Sequence, residues 1–136
     1  GIARFYREAM LAITKVEQHG ADAVACVTVG VQKLLFRETD APLPPYDDHH
    51  IAIYVANHSG PHRFLRERNL ITEESNAHQY RFREIVDPDS GKPLFTVEHE
   101  VRSLKHPVYD KPLINRNPEQ TNNYKDRGHD AFRGSY

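Results

Sequence analysis

Ile2, Phe5, Tyr6, Ala9 and Met10 fall on one helical stripe at i, i+3, i+4, i+7 and i+8, with Arg4, Arg7 and Glu8 outside it. After Leu11 the apolar period shortens. Three strand-like runs follow, over 13–18, 23–29 and 32–37, with Gly20 and Gly30 as the turns between them. Ala41-Pro42-Leu43-Pro44-Pro45-Tyr46 carries too much proline for a helix or a central strand and reads as an extended connector. Beyond it the order recurs. A strand over 49–55 leads to a short helix with Ser59 at its N-cap, Pro61 in its first turn and Asn69 as a left-handed terminator. Strands over 70–73, 78–86 and 94–104 follow, the last two joined by a turn at Asp87-Pro88-Asp89-Ser90-Gly91. The second half therefore reads β-α-β-β-β, and the first reads α-β-β-β, the same unit without its opening strand.

Two strands divide their chemistry between faces. In His50-Ile51-Ala52-Ile53-Tyr54-Val55, alternation sends His50, Ala52 and Tyr54 one way and three aliphatics the other. In the last strand Phe95, Val97 and Val101 share one face, and Thr96, Glu98 and Glu100 share the opposite one. An imidazole and a carboxylate on the polar sides of half-buried strands are candidate ligands of a divalent metal. Each also has a simpler account. His50 would be a strand-edge histidine bonded to Asp47 or Asp48, and Glu98 half of a cross-strand pair with Lys or Arg. His49 is expected outside any such site, and His99 on the helix-facing side as a packed, hydrogen-bonded histidine. Tyr54, together with His78, Tyr80 and Phe82 of a neighbouring strand, supplies candidate aromatic pocket walls, with ordinary packing as the alternative.

Composition narrows the function classes. A chain of 136 residues with 38% hydrophobic and 27% charged residues suits one domain with one core. Eighteen basic against nineteen acidic residues give no electrostatic footprint for nucleic acid or an anionic membrane. No apolar run approaches the roughly 18–20 residues of a membrane-spanning helix. The single cysteine, Cys26, excludes an internal disulfide and suits a reducing compartment, so a cytoplasmic location is expected. No GxGxxG, Walker loop, CxxC, HExxH or nucleophile elbow occurs. From Lys105 onward His106-Pro107, Lys111-Pro112 and Asn117-Pro118 predict an extended or disordered tail.

Three features taken together resemble the vicinal oxygen chelate superfamily, the glyoxalase, bleomycin-resistance and extradiol-dioxygenase group. They are the two repeated units with their proline-rich joint, the run Pro44-Pro45-Tyr46-Asp47-Asp48-His49-His50-Ile51-Ala52-Ile53, and Asp87-Pro88-Asp89 ahead of Phe95-Thr96-Val97-Glu98. The resemblance spans residues 2–104 and implies an α+β fold of paired βαβββ modules whose curved mixed sheets form a half-barrel cleft. The division expected is a first module over 1–40 lacking its first strand, a linker over 41–48, a second module over 49–104 and a tail over 105–136. It also implies that His50 and Glu98 hold a divalent metal (Fe, Zn, Ni, Mn or Mg), with Glu38 and Glu100 as further candidate ligands. Tyr54, His78 and Tyr80 would then face a small-molecule substrate chelated through adjacent oxygens, in lyase, isomerase or ring-cleaving dioxygenase chemistry. The alternative within the same superfamily is a metal-free protein that binds and sequesters a small ligand. A homodimer is the expected assembly.

Overall fold

The computed structural model describes residues 1–110; most of the expected tail, 111–136, lies outside the described residues. Gly1–His106 forms one compact unit. Helix α1 (Ile2–Met10) buries Ala3, Phe5, Tyr6, Ala9 and Met10 and ends at Leu11 in the left-handed conformation (φ 53°), where the Leu11 cap donates its N–H to the Tyr6 carbonyl. It is followed by β1 (Ile13–His19), β2 (Asp22–Val29) and β3 (Gln32–Arg37), an antiparallel sheet of order β1-β2-β3. The turn residue Gly30 has φ 58°, and a Cβ there would lie 2.8 Å from the Tyr54 carbonyl oxygen, so the position is closed to a side chain on both counts.

The second half carries β4 (His50–Val55), α2 (Ser59–Glu67), β5 (Ile71–Asn76), β6 (Gln79–Val86) and β7 (Pro93–Ser103). Its sheet has the order β4-β7-β6-β5. β4 runs parallel to β7, which requires the long crossover through α2, while the other pairs are antiparallel. The expected α+β class is therefore found, with one antiparallel and one mixed sheet.

Helix α2 starts one residue earlier than its sequence suggests. His58, not Ser59, is the N-cap, and its side chain makes no capping bond. Asn57 meets part of that need instead, its Oδ1 accepting the Gly60 N–H at 3.0 Å. Asn69 does close the helix in the left-handed region (φ 55°). Strand β5 runs three residues beyond the expected 70–73, and its pairing with β6 carries two register shifts.

The core lies between the helices and one face of each sheet. The Phe5 ring sits edge-on to Tyr6 at 5.7 Å and to Phe64 of α2 at 6.3 Å, and 5.9 Å from Phe82 of β6. Tyr6 packs on Phe36 of β3 and on His99 of β7. One helix therefore contributes to the packing of both sheets, and His99 occupies the packed, bonded position expected of it.

Candidate functional site

The opposite face of the four-stranded sheet is polar. Strand alternation on β4 falls as expected, with Ile53 and Val55 buried and His50 exposed. His50 lies directly across from Glu98, Ala52 from Glu100 and Tyr54 from Arg102 in the parallel β4–β7 register. The first metal candidates, His50 and Glu98, are thus neighbours on adjacent strands. Tyr46, in the connector, clasps this edge: its hydroxyl donates to the His49 carbonyl at 2.6 Å and accepts the Glu98 N–H at 3.1 Å.

Three arginines occupy the same face. Arg81 donates to Glu98 at 2.8 Å and to Glu100 at 2.6 Å, bridging the two carboxylates. Arg83 donates to the other Glu98 oxygen at 3.2 Å. Arg102 holds Glu100 at 2.6 Å and donates to the Tyr54 hydroxyl at 2.8 Å. Burial works to lower the Arg81 pKa, yet the charges of Glu100, Glu73 and Glu98 outweigh it and hold the guanidinium above its ordinary range. Gln79 extends the network, accepting from Arg102 at 3.3 Å and lying 3.1 Å from His106 Nε2.

Both carboxylates proposed from sequence are therefore engaged. Glu98 and Glu100 are 13% and 3% exposed and face cations on adjacent strands. A divalent ion there would sit beside two guanidiniums that already neutralise Glu98, which opposes binding on Coulombic grounds. The donor set as arranged does not fit a resident ion. Asp47, one of the two partners expected for His50, bonds the neighbouring His49 instead. Glu38 stands apart in the first sheet, one residue past β3, where its N–H donates to the Ala23 carbonyl at 2.8 Å. It lines an apolar groove with Gly1, Ile2, Leu94 and Phe95.

The remaining pocket candidates separate. Tyr54 stays on the polar face, while Tyr80 points to the helix side, 1% exposed, between the His58 and His62 rings. Phe82 also lies in the core, stacked on His99 at 4.1 Å. The expectation of one aromatic wall shared by Tyr54 and Tyr80 is corrected by the β6–β7 register, which pairs Tyr80 with core Val101 and Arg81 with Glu100. His78 precedes β6, its Nδ1 3.5 Å from the Ser103 hydroxyl.

The residues that sequence reasoning missed are Arg81, Arg83 and Arg102. The signal was present as Gln79, Arg81 and Arg83 at period two, opposite the aromatic positions of the same strand. No protein-family model matches this chain, and no curated protein or solved structure matches it either.

Proposed function

We propose that this chain is a vicinal-oxygen-chelate-type pair of βαβββ units that binds a small organic ligand on the polar face of β4, β7 and β6 without a resident metal. The observation that carries the reading is the double engagement of Glu98 and Glu100 by Arg81, Arg83 and Arg102. The strand order β4-β7-β6-β5, with its parallel β4–β7 pair, supports the family assignment for the second half. In the first half, α1 followed by β1-β2-β3 is compatible with the same unit lacking one strand. Arginine–carboxylate networks keep both charges hydrogen-bonded and leave exposed His50 as a contact group for a ligand, beside Tyr54, whose ring packs edge-on to His106.

Thermal-shift measurement against small organic compounds tests ligand binding. A compound present at a hundred times its Kd stabilises the protein by about 2.7 kcal/mol. That stabilisation is expected to shrink in His50→Ala and Tyr54→Ala. Hits whose shifts are the same in both variants would place the ligand elsewhere.

The second reading is a metal-dependent enzyme, and the register that sets His50 opposite Glu98 favours it. It requires Arg81 and Arg83 to release Glu98. Elemental analysis of the purified protein separates the readings. The metal-free reading expects no stoichiometric metal and no change in His50→Ala or Glu98→Gln. One equivalent of metal, lost in both variants, would establish the metalloenzyme.

A further inference from the structure

On the helix side of the second sheet, α2 and strands β5 and β6 line an open cavity of about 520 Å3, within the size range of small-ligand sites. His58, His62 and Arg66 recur at intervals of four along α2, so one stripe of that helix lines the cavity with three groups able to carry positive charge. Across it stand Glu74 of β5 and Gln79 and Tyr80 of β6. The Tyr80 ring backs both imidazoles, at 4.8 Å from His58 and 5.0 Å from His62. Glu74 is committed to His62 through the imidazole Nε2, which holds its carboxyl below the usual range. The His58 Nε2 is buried without a hydrogen-bond partner.

The charge balance sets the ligand class. One carboxylate faces three cation-capable side chains, and the first turn of α2 contains no acidic residue to answer its positive end. We infer that this cavity is a second binding site, separate from the polar sheet face, and that it takes a small oxyanion: a carboxylate or a phosphate. Arg66 supplies the permanent charge, and His58 adds a second when an anion repays the cost of charging it. Desolvation, reinforced by His62 and His78, holds His58 below the ordinary imidazole range, while a bond to the Val101 carbonyl opposes this. The charged and titratable groups around His58 are His62 and Arg66 on α2, Glu74 on β5, Tyr80 on β6 and His78 before β6. Of these only Glu74 is acidic; it is bonded to His62 and also feels the charge of Arg66, so one carboxylate is shared between two of the three cationic groups. A bound anion therefore raises the His58 titration midpoint, and the site binds more tightly as pH falls through that range.

NMR titration of the histidine ring signals in the full chain tests this. Sodium phosphate and sodium acetate serve as separate probes, with sodium chloride at matched ionic strength as control. The expected result is a saturable shift at His58 and His62 with one or both oxyanions and none with chloride. Phosphate alone or acetate alone identifies the oxyanion. Arg66→Gln, an exposed position, should weaken binding about tenfold, as expected for one lost charge-assisted hydrogen bond. His58→Gln should retain binding near neutral pH and lose its increase on acidification. Chloride reproducing the shifts, equal affinity in Arg66→Gln, or shifts centred on His50 would each overturn the assignment.

Discussion

His99 is a histidine in a hydrocarbon core, and its surroundings determine which nitrogen carries the proton. Nδ1 lies 2.7 Å from the Val97 carbonyl, so it must be the donor, and Nε2 is left to accept from the Tyr6 hydroxyl. Burial pushes the His99 pKa down to about 4 and the Tyr6 phenol up, so both are neutral partners at pH 7. Below about pH 6.5 the unfolded chain takes a proton on this histidine, but the folded protein does not until pH approaches 4. Stability is therefore expected to fall across that window by up to about 3 kcal/mol, with no further change from this group below it. Urea unfolding as a function of pH measures it, and His99→Phe should flatten the slope. An unchanged slope would assign the acid sensitivity to other residues. Tyr6→Phe leaves the Nε2 lone pair buried without a donor and should cost about 1–3 kcal/mol at neutral pH.

At the scale of elements, the two faces of β4 and β7 were legible because each strand has aliphatics on one side and polar groups on the other. β6 was harder to read, for a physical reason. Its core face is aromatic (Tyr80 and Phe82), and aromatic side chains suit a core or a ligand pocket equally well until a partner strand fixes the register. That partner is β7, and the pairing slips between Phe82 and Glu84. Arg83 and Glu84 are consecutive, yet both reach polar-face partners, Glu98 and Thr96. A bulge of this kind breaks the two-residue period on which sequence reading depends. The arginine network that occupies the candidate carboxylates keeps period two through Gln79, Arg81 and Arg83, but that pattern does not name the strand whose carboxylates it meets. The network predicts unequal roles for its members. Arg81→Met removes the bridge between Glu98 and Glu100 and leaves Glu100, 3% exposed, with Arg102 alone. A loss of about 2–3 kcal/mol is expected, since it strips a partner from a buried charge. Arg83 is 41% exposed, and Arg83→Met should cost no more than about 1 kcal/mol. Denaturation midpoints of the two variants compare them. Equal losses would mean that Glu100 does not depend on the bridge.

The molecule as a whole depends on α1. In sequence this helix belongs with β1, β2 and β3, yet its buried stripe serves the other sheet as well. Phe5 touches Phe64 of α2 and Phe82 of β6, and Tyr6 lies between Phe36 of the first sheet and His99 of the second. The helical period at 2–10 showed that a buried face exists but not what it buries, because a stripe carries no record of its partner. If the two sheets fold around one shared core, a defect in α1 must weaken both together. Phe5→Ala removes a fully buried ring and should cost about 3–5 kcal/mol, less where neighbours close the cavity. Amide exchange reports the sheets separately, along β2 for the first, where Val24, Val27 and Val29 are buried, and along β6 and β7 for the second. Both should shift by the same free energy in Phe5→Ala, as one cooperative unit requires. A shift along β2 with β6 and β7 unchanged would instead make α1 the private helix of the first sheet.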